Sequence, residues 1–146
     1  MKLRILQIAV PFIWFGMIGA ISFMEAPLKF QAPGITLPLG LGIGRLIFGV
    51  MNKVEILFAL LMIVSFVVKA PRGLFPKGAL GAIVLLLFLE TVWLLPALDV
   101  RAQQVIDGTA APFSNMHFVY IAFDSVKLLL LGGLGVSLLK QNLSFN

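Results

Sequence analysis

His117, Tyr120, Asp124 and Lys127 follow one another at intervals of three, four and three inside "HFVYIAFDSVKLLLLGGLGVSLL", residues 117 to 139. That spacing stacks them on one helical face. An imidazole, a carboxylate and an ammonium are the groups of proton transfer and ion binding. The surrounding segment is long and apolar enough to cross a bilayer, where an Asp or Lys costs roughly 2.5–3.5 kcal/mol on insertion scales. A polar stripe on such a helix must face protein or water.

Other stretches supply possible partners. Arg45, Asn52 and Glu55 are separated by seven and three, one face if their helix is continuous. Ser22 and Glu25 share a face earlier in the chain, and Glu90 and Trp93 share one later. The four apolar elements thus bring one carboxylate each: Glu25, Glu55, Glu90 and Asp124. Three readings follow. In the first, Glu90 and Asp124 exchange a proton or hold a cation or small polar solute, with His117 at the mouth and Lys127 and Arg45 as charge partners. Glu55 and Glu25 are further members of that site. In the second, the charges only neutralise one another: Asp124 and Lys127 are an i,i+3 pair, and Arg45, Lys53 and Arg101 serve the remaining acids. The protein is then a non-catalytic structural or accessory subunit of a membrane complex. In the third, His117, Glu90 and Asp124 hold a single metal ion. Di-metal helical bundles use Glu-x-x-His motifs, and this chain has one histidine and no such motif. A two-histidine haem would need a homodimer. The residues name no particular cofactor.

Enzymes are the least supported class. Without cysteine there is no disulfide, thiolate metal site or thiol nucleophile. "GLGIGR" (Gly40 to Arg45) lacks the spacing and the preceding strand of a dinucleotide loop, and close helix packing accounts better for its glycines. Gly132, Gly133 and Gly135 likewise let another backbone approach. No G-x-S-x-G motif surrounds Ser22, Ser65, Ser114, Ser125 or Ser137. Trp14 and Trp93 read as packing or interface anchors.

The elements that position these residues are apolar spans. The chain is 60% hydrophobic and 12% charged, whereas soluble domains are nearer half apolar and a quarter charged. An all-α integral membrane four-helix bundle in a single domain is expected. Its spans run over Ile5–Met24, Glu55–Val68, Ala79–Leu98 and His117–Leu139. The second is short unless it extends back to Pro38, a residue suited to a helix start; residues 38–54 otherwise form an interfacial helix. "MKLRILQIAVPFIWFGMIGAISF" mimics a signal peptide, but its apolar run is too long, so it reads as the first span. Glu25 ends that span, and Pro27 and Pro33 forbid ordinary helix continuation, leaving a rigid outer loop. "KAPRGLFPKG" (69–78) is a tight turn. Residues 99–115 form a longer polar connection, with "VRAQQVIDG" as a short helix.

The net charge of +5 is explained by orientation rather than nucleic acid. Lys2, Arg4, Lys69, Arg72, Lys77 and Lys140 fall on one side with no acid among them. Lys29, Arg45, Lys53 and Arg101 fall on the other, mixed with Glu25, Glu55, Asp99 and Asp107. The positive-inside rule puts both termini in the cytoplasm, as in a bacterial inner membrane. The Asn142-Leu143-Ser144 sequon then carries no weight. Partners are the lipid bilayer and a homo-oligomer or larger membrane complex. Glu90 lies six residues before Pro96 and Asp124 seven after His117, depths of roughly 9 and 10 Å from the outer side. The two carboxylates therefore meet at matching depth, in a bundle with a polar, outward-opening upper half.

"GMIGAISFMEAPLKF", "GLGIGRLIF" and "MHFVYIAFDSVKLLLL" together resemble the transmembrane-protein-205-like family of small four-span proteins. The resemblance covers most of the chain loosely. It implies a four-helix membrane protein, no activity and no site residues.

Overall fold

The computed structural model describes residues 2–109 and 115–143. Four long helices account for nearly all of them: α1 (Lys2–Gln31), α2 (Leu37–Val68), α3 (Phe75–Ile106) and α4 (Met116–Leu143). All four are long and apolar enough to cross a membrane. Residues 110–114 of the last connection, with Ser114, and Ser144 of the sequon lie outside the described residues.

The helices outrun the spans expected from hydropathy. Residues 38–54 belong to one unbroken helix with Glu55–Val68. Thr36 caps it by accepting from the Leu39 amide at 3.4 Å, and Pro38 sits in the first turn, where its missing N–H removes no helical bond. "VRAQQVIDG" is the end of α3 rather than a separate helix, and the chain leaves it through Gly108 at φ +73°.

Pro27 does not stop α1, contrary to the expectation from its ring. Proline in an α-helix clashes with the carbonyl four residues earlier. Here Gly19–Glu25 widens into a π-helix, in which the Ala26 N–H donates to the Ile21 carbonyl, five residues back. The chain then runs through Pro27 to Gln31. The same device recurs in α3. Glu90–Leu94 is a π-helix, Leu95 N–H donates to the Glu90 carbonyl, and Pro96 follows. A wide turn thus precedes Pro27 and Pro96 and shifts the register that the ring would otherwise obstruct.

This changes the depth of Glu90. It is not near a helix end but midway along a 32-residue helix, about 22 Å from Phe75 and about 24 Å from Ile106.

The half of the bundle toward Lys2 and Leu143 is closely packed. Val10, Trp14, Met62, Ile83, Leu131 and Leu134 are among its buried members. Phe12 of α1 lies where a side chain on Gly135 would have to go, and Phe15 and Phe75 lie against Gly132 and Gly133. These glycines therefore admit aromatic rings, not another backbone. Gln7, buried in α1, donates to the carbonyls of Ser65 (2.9 Å) and Lys69 (2.8 Å), satisfying the end of α2. Gln141 of α4 accepts from the Arg72 amide and donates to its carbonyl, fastening α4 to the α2–α3 turn. Leu46, Val64, Val67, Leu85, Phe88 and Leu129 are exposed on the outside, a surface suited to lipid rather than water.

Candidate functional site

At mid-height, α2, α3 and α4 each turn a carboxylate inward. Glu55 and Glu90 are 1% exposed, and Asp124 and Lys127 are fully buried. The Lys127 ammonium stands among the three acids, at 2.8 Å from Glu55 Oε1, 2.5 Å from Glu90 Oε2 and 2.9 Å from Asp124 Oδ1. Trp14 of α1 completes the ring by donating its indole N–H to Glu55 Oε1 at 2.9 Å. All four helices therefore meet at one polar point.

The local sequence explains each placement. On α2, Met51, Asn52, Glu55, Ala59 and Met62 are all buried, a helical spacing that carries Glu55 inward with the core. On α4, Tyr120, Asp124, Lys127, Leu131 and Leu134 form the corresponding inward face. Glu90 opens the π-helix of α3, so the local register sets the carboxylate's direction.

The cluster is short of positive charge. Three carboxylates face one ammonium, leaving a net charge of −2 if every group is ionised. Neither oxygen of Asp124 nor Glu90 Oε1 has a hydrogen-bond partner among the described residues. Asp124 Oδ1 touches Lys127 as an ion pair without hydrogen-bond geometry, an attraction that depends little on direction. A buried carboxylate oxygen left without a partner is costly. One oxygen from each acid lies within 4.8 Å of the others, close enough for a metal ion. The ammonium stands in contact with all three and so fills the cation's place.

The remaining residues expected at the site lie elsewhere. His117 is exposed, seven residues and about 10 Å of helix above Asp124, so it does not join Glu90 and Asp124 as a ligand set. Arg45 does not reach the cluster. It binds Asp99 through Nε (2.5 Å) and Nη2 (2.9 Å), and Gln103 through Nη1. Glu25 pairs with Lys29 on its own helix at 3.3 Å. The structure brings Glu90, Asp124 and Lys127 together, although Glu90 lies much deeper in its helix than the sequence suggested. The sequence reading missed Trp14, whose signal was an indole N–H in an apolar run requiring an acceptor. It also missed Thr91, which accepts from Asn52 at 2.8 Å and donates to the Leu87 carbonyl at 2.7 Å.

Above the cluster the helices diverge around a cavity of about 800 Å³, lined from all four. Asn52, Thr91 and Tyr120 line it, each within one turn of Glu55, Glu90 or Asp124. His117 and Arg45 line it farther out. Tyr120 is buried and meets the Phe48 ring edge-on at 5.2 Å. Among known proteins, no family model, curated protein or solved structure matches the chain.

Proposed function

We propose that the protein is a membrane carrier or channel of the bacterial cytoplasmic membrane, both termini inside, that binds protons at the Glu55–Glu90–Asp124–Lys127 cluster. The observation that carries this reading is the excess of acid: three buried carboxylates around one ammonium, with oxygens left unpartnered. The neutral state holds one carboxylate against Lys127 and two protonated acids. Releasing a proton creates a charge that this interior solvates poorly, so the groups titrate as a unit. The outer cavity comes within about one helical turn of the cluster at Asn52, Thr91 and Tyr120, and the packed core closes the other side in this conformation.

Depth supports a membrane role. Arg45 lies ten residues outward from Glu55, and Arg4 ten residues inward from Trp14, which contacts Glu55. Each interval is about 15 Å of helix, so the two arginines bracket a slab close to the roughly 30 Å hydrocarbon core. The cluster then stands at its middle, where ionisable residues mark proton and ion pathways. The resemblance to the transmembrane-protein-205-like family agrees with four spans and adds no activity.

A second reading has its own support. Lys127 binds acids on α2 and α3 as well as on α4, so the cluster also locks helix register, as in an accessory subunit of an oligomer or larger complex. Proton flux in liposomes separates the two. Wild-type protein should dissipate an imposed pH gradient, and Glu90→Gln and Asp124→Asn should stop this while retaining helical circular dichroism. Folded variants with unchanged flux would leave the cluster a structural lock.

A further inference from the structure

None of the four cluster residues lines the outer cavity, which has a chemistry of its own. Its walls are largely apolar and aromatic, with Phe23, Phe30, Phe48, Leu95, Leu98 and Ile121. The ionisable groups entering it are Lys29, Arg45, Lys53, Asp99 and His117. Arg45 is neutralised by Asp99. Lys29 is neutralised by Glu25, and its ammonium also lies 5.6 Å from the Phe30 ring centre and 5.4 Å from that of Phe48. Lys53 has neither an ion pair nor a hydrogen bond among the described residues. Of the three cations lining the cavity, Lys29 and Arg45 thus have acid partners, and Lys53 has none among the described residues.

Its position gives that charge meaning. Lys53 is two residues from Glu55, about 3 Å along the axis, in the middle of a 32-residue apolar helix. Arg45 stands eight residues farther out, about 12 Å along the axis, beyond the reach of a lysine side chain. Snorkelling to that level therefore does not discharge the ammonium. An intramembrane cation without a counter-ion is costly, and the cavity is the space from which a counter-ion can approach.

We infer that the cavity binds an amphiphilic anion: a single apolar chain bearing one carboxylate or phosphate head. The head meets Lys53, and the chain lies against the aromatic wall. A volume of about 800 Å³ lies within the usual range for small-molecule sites, which combine apolar walls with few polar anchors. This assignment stands apart from the proton chemistry at Lys127.

The test is photolabelling of the full chain in phosphatidylcholine nanodiscs, at fixed pH and with no proton gradient, using a diazirine-bearing palmitate. Label should map to peptides holding the cavity residues and be competed by excess dodecanoate or dodecyl phosphate but not by dodecanol. Lys53→Met should lower labelling at least about tenfold, as loss of a charged contact does, and Lys53→Arg should retain it. Lys53 is exposed, so neither change disturbs the core. Competition by dodecanoate alone would assign a free fatty acid, and by dodecyl phosphate alone a phospholipid-type head. Equal competition by dodecanol, or wild-type labelling of Lys53→Met, would overturn the inference.

Discussion

Arg45 and Lys127 each tie one helix of this bundle to another through ion pairs, and the two groups differ in stoichiometry more than in distance. Arg45 on α2 meets Asp99 on α3, one cation to one acid, with the Asp99 side chain 52% exposed. Lys127 meets three acids at similar distances, and none is open to solvent. The outer pair is neutral and hydrated whatever its neighbours do. The inner group has two more acids than cations, and on the proposed reading protons make up the difference. On that reading, similar contacts give a clamp in one place and a titrating centre in the other.

The most severe disturbance of that contrast is Lys127→Met. It leaves three buried carboxyl groups without their cation, and removing one partner of a buried pair typically costs about 3–5 kcal/mol. Denaturant unfolding in detergent should show a loss of this order. Acidification should shrink the loss, because a protonated carboxyl needs no counter-ion. A deficit independent of pH would mean the inner group is a clamp after all. Trp14→Phe should come next. It deletes the indole donor to Glu55, a hydrogen bond to a charged group worth about 1.5–3 kcal/mol, read in the same unfolding curves.

Glu90→Gln should be milder, within about 1 kcal/mol of wild type, since it keeps shape and removes an excess acid. Its effect belongs in proton counting: a pH jump with an indicator dye should register fewer protons taken up per chain. Unchanged uptake would remove Glu90 from the titrating set. Least affected should be Asp99→Asn, which opens a solvated pair. Thermal melting should not move beyond its scatter, and a clear drop would show that the rim holds the bundle as firmly as the centre does.

Much of this was legible in the sequence. The intervals between Asp124 and Lys127, and between Asn52 and Glu55, predicted shared faces, and apolar length predicted four helices. Helix ends were harder to read, because proline chemistry argues for termination at Pro27 and Pro96 while a preceding π-turn removes the clash. That misreading placed Glu90 too near the surface. Arg45 was left between the inner acids and the remaining ones, because periodicity gives a residue's face but not the neighbour across it. Asp99 lies 54 residues away in sequence, and only the continuation of α3 beyond Pro96 brings it alongside. Gln7 was overlooked although an amide in an apolar run always needs partners; those it found are the free carbonyls ending α2.

The indole of Trp14 touches the same Glu55 oxygen that Lys127 holds. Indole emission responds to charge beside the ring, so the protein carries its own optical gauge. Trp93 is half-exposed and has no bond to the cluster, and a Trp93→Phe chain would leave Trp14 the sole emitter. Its colour would then follow, without any added label, the filling and emptying of the centre it touches.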